Sequence, residues 1–218
     1  MKIVAIVPIK LNNERLPGKN LRLLGGRPLV SYCLKTLLSV EKISSIYVYC
    51  SNDAIVKYLP RGVEFLRREP ELDLPSANFT QIFEAFSNTI DADVYVYAHA
   101  TAPYIKPETI NSEIEAVLSG EFDSAFCAER IQDFLWSEGN ALNFNPENIP
   151  RSQELPVVYR ETSGVYVFKK EVFECNHRRV GVKPYIVQVG RQESIDINTI
   201  EDFYFAEMLL KDEIGENI

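Results

Sequence analysis

Met1-Lys2-Ile3-Val4-Ala5-Ile6-Val7-Pro8-Ile9, running into Lys10-Leu11-Asn12-Asn13-Glu14-Arg15-Leu16-Pro17-Gly18-Lys19-Asn20, is the stretch on which the fold turns. A short, almost unbroken apolar run from Ile3 to Ile9 reads as a strand buried on both faces, the kind found at the centre of a parallel sheet. The loop behind it holds three cations, two turn-forming asparagines and a Pro-Gly break. A polyphosphate is neutralised by cations together with backbone N–H groups that are free to point inward, and this loop supplies both. It is neither of the two common phosphate loops, because GxxxxGK[ST] and GxGxxG are both absent.

Further along, Ile46–Cys50, Val63–Leu66, Val94–Ala98, Ser124–Ala128, Gly164–Phe168 and Tyr185–Val189 read as strands. Helical spacing links Leu29, Val30, Cys33, Leu34, Leu37 and Leu38 after Pro28, then Phe79, Ile82, Phe83, Phe86 and Ile90. A third series runs through Ile110, Ile114, Val117 and Leu118, and a terminal one from Ile200 to Leu210. Strand and helix alternate, which predicts a three-layer α/β fold: a mainly parallel sheet with helices on both faces. Ligands in such sheets bind beyond the carboxyl ends of the strands. The alternation breaks between about Phe134 and Tyr159, where Trp136 is followed by Asn140, Asn143, Asn145, Pro146, Asn148, Pro150 and Pro156. That segment is expected to be a lid or a dimerisation excursion.

At 218 residues the chain is expected to form a single domain, residues 1–218. Its formal charge of −8 argues against nucleic acid and anionic membranes as partners, so any anion site must be a local cluster of cations. Cys33, Cys50, Cys127 and Cys175 form no CxxC pair and read as reduced thiols, which favours a cytoplasmic location. The opening apolar run is too short for a membrane span or a cleaved export signal.

The loop, taken with Leu24-Gly25-Gly26-Arg27-Pro28-Leu29, resembles the N-terminal signature of the sugar-activating cytidylyltransferases, both the acylneuraminate and the 3-deoxy-manno-octulosonate branches. In that family a strand, Pro-Ala-Arg, a loop and Pro-Gly-Lys bind the triphosphate of CTP. The resemblance puts Lys10 at the family's first Arg and Lys19-Asn20 on its Lys-Asn pair. It implies nucleotide contacts from Pro8, Lys10, Asn12, Asn13, Arg15, Lys19 and Asn20, with Lys10, Arg15 and Lys19 also stabilising charge in the reaction. Lys10 keeps the charge of the Arg but not its planar fork, and Glu14 stands where acylneuraminate enzymes carry a Lys.

More matches follow in the family's order. Arg67-Arg68-Glu69-Pro70-Glu71-Leu72 resembles its Arg-Pro-x-Glu-Leu, implying that Arg68 contacts the nucleotide, with Ser76-Ala77-Asn78 opening the next helix near the base. His99-Ala100-Thr101-Ala102-Pro103-Tyr104-Ile105 falls on Gln-x-Thr-Ser-Pro-Leu-Arg, which implies that His99 and Thr101 face the sugar and leaves Ile105 in place of an Arg. The segment Arg151–Tyr166 resembles Arg-Gln-x-Leu-Pro-x-x-Tyr-x-x-Asn-Gly-x-x-Tyr. Tyr159 is then a substrate contact, and Arg151 or Arg160 is the clamp on a sugar carboxylate. Ser194-Ile195-Asp196-Ile197-Asn198 matches the family's magnesium-binding Ser-Ile-Asp-Ile-Asp, with Asn198 in place of the second Asp. Alternation along an extended segment puts both side chains on one face; read blandly, Glu201 and Asp202 simply cap the helix that follows.

The resemblance therefore implies a Mg²⁺-dependent transfer of CMP from CTP to a sugar acid, of nonulosonic or sialic-acid-like type, with release of pyrophosphate, by a homodimer. Asp196, together with Asn198, would hold the metal. An octulosonate-type or other sugar nucleotidyltransferase, or a silent nucleotide-binding homologue, stays open. Sialic-acid enzymes use an aromatic pair near the acyl group; here Arg178-Arg179-Val180-Gly181 is basic instead.

Overall fold

The computed structural model describes residues 1–215, with side chains as far as Lys211. In chain order its elements are β1 (Ile3–Ile9), the short pair β2 (Leu23–Leu24) and β3 (Arg27–Pro28), α1 (Val30–Leu38), β4 (Ser45–Cys50), β5 (Val63–Arg67), α2 (Phe79–Ser87), β6 (Val94–Ala98), α3 (Pro107–Leu118), β7 (Ser124–Ile131), the short pair β8 (Trp136–Ser137) and β9 (Asn140–Ala141), β10 (Val158–Lys169), α4 (Lys170–Asn176), β11 (Pro184–Val189) and α5 (Ile200–Gly215). Seven strands form one sheet in the order β11-β7-β10-β6-β1-β4-β5. All neighbours are parallel except β10, which runs antiparallel to both β6 and β7. No α-helix separates β7 from β10, so the chain returns without a crossover and must reverse direction.

β1 shows why the sheet is filled on both sides. Ile3, Ala5, Val7 and Ile9 enter a cluster with Val30, Cys33, Leu34 and Leu37 of α1 and with Ile110, Ile114 and Val117 of α3. Val4 and Ile6 point the other way, into an aromatic cluster beneath α2 and α4. Phe83 is fully buried there, with its ring against those of Phe79, Phe86, Tyr95, Tyr97, Phe168 and Phe173. Burying such a side chain contributes about 1.5–3 kcal/mol.

Two local details depart from the sequence reading. Helix α2 starts at Asn78, whose side chain accepts from the Gln81 N–H while Gln81 reaches back to the Asn78 N–H. Ser76 lies upstream of that cap and is exposed. Strand β10 begins six residues before the expected Gly164, because its first half is largely polar, with Tyr159, Arg160 and Glu161 exposed, and carries no apolar pattern. Between β7 and β10 the excursion folds β8 and β9 into a small hairpin and leaves Trp136, Leu142 and Ile149 exposed.

The chain lays down β1, β4 and β5 towards one edge, then crosses to place β6 on the other side of β1. The carboxyl ends of β1 and β6 therefore diverge at the switch point of the sheet, which opens a crevice between them.

Candidate active site

That crevice is a cleft of about 400 Å³, walled by Pro8 of β1 and by Lys10, Asn13, Arg15, Lys19 and Asn20 from the loop behind it. His99, Ala100 and Thr101 come from the end of β6, Ser163 from β10, and Asp196 and Asn198 from the segment before α5. Gly18 makes the loop possible. Its φ of +67° is a left-handed conformation that costs an L side chain about 1–2 kcal/mol, and it turns Lys19 inward.

Lys19 is 8% exposed and bridges the two walls. Its Nζ donates to the Ile197 carbonyl at 2.6 Å and to Asn198 Oδ1 at 3.4 Å. Burial lowers its pKa, Asp196 opposes that, and Arg15 adds to it. Arg15 Nη2 also donates to Asn198 Oδ1, at 2.8 Å, and Asn20 Nδ2 closes the loop on the Lys10 carbonyl at 2.9 Å. The segment carrying Asp196 is tied to the sheet by the Ile197 N–H, which donates to the Thr101 carbonyl at 2.8 Å.

Asp196 Oδ2 accepts from Asn198 Nδ2 at 2.6 Å, whereas its Oδ1 is buried with no hydrogen-bond partner. Asn198 thus turns its amide N–H₂ to Asp196 and its oxygen to the two cations. Asp202 accepts from the backbone N–H groups of Asn198 and Thr199 at 2.9 and 2.8 Å. Burial raises its pKa, but those bonds outweigh it and hold the carboxyl below its ordinary value. The capping role read from the sequence is therefore present alongside the site.

His99 carries a second orphaned atom, because its Nε2 is buried and unpartnered. Burial first, then the charge of Arg179, push its pKa down to about 4 against the pull of Asp196. The imidazole is neutral at pH 7.

Beside the main cleft, Pro8, Lys10 and His99 also wall a smaller one of about 200 Å³ with Arg68, Asp73, Ala77 and Tyr97. Arg68 is 3% exposed, pairs with Asp73 and donates to the Ile9 carbonyl at 2.9 Å.

The tertiary structure thus gathers Pro8, Lys10, Asn13, Arg15, Lys19, Asn20, His99, Thr101, Asp196 and Asn198 into one cleft, and Arg68 with Ala77 into the adjoining one. Asn12 and Ser76 are exposed and wall neither. Tyr159 is exposed, and the Arg151 side chain is 80% exposed and paired with Glu154. Arg160 pairs with Glu129 and walls a different cleft, which it shares with Asp196. Ser163 and Asp73 carried no signal of their own, since each reaches its place only through strand pairing or an ion pair.

Behind the cleft, Glu113 on α3 is fully buried and neither carboxylate oxygen has a partner. Glu193 nearby accepts from the Lys106 N–H at 3.1 Å and from the Thr109 hydroxyl, which anchors the segment leading to Asp196. Burial, and then the charge of Glu193, raise the Glu113 pKa well above the ordinary carboxyl value.

Fold and site together define a Rossmann-like α/β protein with a cationic cleft at the switch point that also presents the Asp196 carboxylate. A family model described as cytidylyltransferase matches residues 4–210, and the chain belongs to that family. It is 26% identical to N-acylneuraminate cytidylyltransferase A of Danio rerio across 94% of this chain and 50% of the relative. The chain therefore spans about half the length of that protein. It is also 26% identical to the CMP-N,N'-diacetyllegionaminic acid synthase of Legionella pneumophila, across 97% of both chains. Among solved structures, a CMP:2-keto-3-deoxy-manno-octonic acid synthetase complexed with CTP superposes with a TM-score of 0.72 at 17% identity, covering 98% of this chain and 100% of that one; this likeness speaks to the fold alone.

Proposed function

We propose that this chain transfers the cytidylyl group of CTP to a hydroxyl of a sugar acid, nonulosonic in type, and releases pyrophosphate. One observation carries the reading: the cationic turn after β1 and the carboxylate of Asp196 share a single cleft at the carboxyl ends of β1 and β6. Lys10, Arg15 and Lys19 are placed to take the triphosphate, with Asn13 and Asn20 shaping the loop. The smaller cleft beside Arg68 and Ala77 suits the nucleoside. Arg15 and Lys19 would stand next to the phosphates as negative charge moves to the leaving pyrophosphate, and stabilising that charge is the chief service such sites render.

The residues present fit a magnesium ion. Asp196 Oδ1 is a hard anionic oxygen, buried and without a partner, and Mg²⁺ is commonly held by one or two carboxylates plus substrate phosphates. Asp196 would hold it alone, because the Asn198 oxygen is engaged by Arg15 and Lys19. Bound there, the ion would neutralise phosphate charge and acidify the attacking hydroxyl. Asn198 orients Asp196, and Asp202 orients Asn198.

The exposed Trp136, Leu142 and Ile149 of the excursion support its use as the contact of a homodimer.

The test incubates the protein with Mg²⁺, each nucleoside triphosphate in turn and a panel of sugar acids, and measures pyrophosphate. Release with CTP and a nonulosonic acid is expected. Release only with 3-deoxy-manno-octulosonic acid or with another triphosphate, or CTP binding without turnover, overturns the reading.

A further inference from the structure

Residues 195–198, which carry Asp196 and Asn198 into the cleft, belong to no helix or strand, so no ladder of backbone bonds fixes them. Individual long-range bonds do so instead, and two sets of them run to one stretch of chain, the passage from β6 into α3. On one side of Asp196 the Ile197 N–H donates to the Thr101 carbonyl at 2.8 Å. On the other, Glu193 Oε1 accepts from the Lys106 N–H at 3.1 Å and from the Thr109 hydroxyl. Asp196 lies between these two ties, one residue from the first and three from the second.

Glu193 is 7% exposed, and it binds at the start of a helix that lacks a cap of its own. The residue before α3 is Lys106, whose side chain makes no capping bond, and Pro107 follows. A carboxylate is the group that the positive end of a helix dipole favours. Glu113 lies one turn beyond Thr109 on α3, fully buried and with both oxygens unpartnered. Burial, and then the charge of Glu193, raise the Glu113 pKa well above its ordinary value. Of the two neighbouring carboxyls, the one without a donor therefore keeps its proton, and the charge of Glu193 is left facing the first turn of α3.

We propose that Glu193 is a positioning residue for Asp196. Its carboxylate ties the irregular segment to Lys106 and Thr109, and together with the Ile197 tie it holds Asp196 Oδ1 open to the cleft. Glu193 walls neither the main cleft nor the smaller one, so it acts through the chain it holds rather than on a ligand. This inference rests on the function proposed above and adds the residue on which the placement of its carboxylate depends.

The experiment titrates the free protein with Mn²⁺, reading the unbound ion by electron paramagnetic resonance, and measures amide hydrogen exchange by NMR. The wild type is compared with Glu193→Ala, Glu193→Gln, Thr109→Val and Thr109→Ser. In Glu193→Ala the Mn²⁺ dissociation constant should rise about tenfold or more, as it does when partners behind a metal ligand are removed. The Ile197 amide should also exchange about tenfold faster, whereas that of Val96, at the centre of the sheet, keeps its protection. Turnover lost by this variant at low Mg²⁺ should return at high Mg²⁺.

Glu193→Gln keeps an acceptor oxygen of the same reach and should recover most of the affinity. Thr109→Val should weaken Mn²⁺ binding in the same direction and Thr109→Ser should restore it, and this pair carries the test if the Ala variant melts early. Unchanged Mn²⁺ affinity in the folded variants overturns the inference, and so does faster exchange at Val96 as much as at Ile197, which would make Glu193 a general support of the fold. A wild type that binds no Mn²⁺ overturns the metal assignment and this inference with it. One that binds Mn²⁺ but releases no pyrophosphate with CTP and any sugar acid overturns the proposed function alone.

Discussion

Replacing Glu113 by Gln should make the protein more stable, by an amount that grows with pH. The carboxyl is fully buried: neither oxygen has a partner, and Glu193 stands beside it as a second negative group. Burial and then Glu193 raise its pKa, so the folded chain keeps a proton that the unfolded chain has lost above about 4.5, its ordinary value. The folded state binds more protons, hence stability is full below that value and falls as pH rises, until the folded pKa is passed. One proton changes the folding equilibrium by about tenfold per pH unit, so two units inside the window amount to about a hundredfold, or roughly 3 kcal/mol. Gln fills nearly the same volume and is neutral throughout. Cys127, another neighbour of Glu113, has its thiol pushed up to about 12 by burial and stays neutral over this range. Urea titrations of both proteins at pH 5, 6, 7 and 8 should show their midpoints drawing apart by about 1 M before the difference levels off. A difference that does not change with pH refutes the reasoning.

Other substitutions probe the cleft itself. Asp196→Ala should abolish pyrophosphate release while leaving circular dichroism and the melting temperature close to wild type; retained turnover removes the metal assignment. Lys19→Met should cut kcat by about a hundredfold, and a smaller loss than tenfold would argue against a phosphate contact. Gly18→Ala should destabilise by about 1–2 kcal/mol through its positive φ, read from a melting curve. Because the folded pKa of His99 is lowered to about 4, the unfolded chain takes up its proton first, near 6.5, as pH falls. Stability should therefore decline between those two values, and His99→Asn should remove that part of the acid sensitivity; nitrogen-15 shifts showing His99 protonated at pH 6 would contradict this.

The local periods of the chain were enough to place all seven strands of the sheet and four of the five helices, because strands buried on both faces leave apolar runs and amphipathic helices leave a stripe. The cationic loop was equally plain, since Lys10, Arg15 and Lys19 lie within ten residues and follow the first such run. Helix α4 was missed, with only Val172 and Phe173 buried to mark it, and so was the first half of β10, where Tyr159, Arg160 and Glu161 are exposed. What no local pattern contains is pairing between distant residues. Only the register of β10 against β6 brings Tyr166 and His99 to one face, and only the folded chain turns the Asn198 oxygen to Arg15 and leaves Asp196 Oδ1 open. Arg151, Arg160 and Arg179 are all guanidiniums in the sequence. Their difference lies in the carboxylates and rings that long-range packing sets beside them, and the electrostatics of a site depend on those neighbours rather than on residue type.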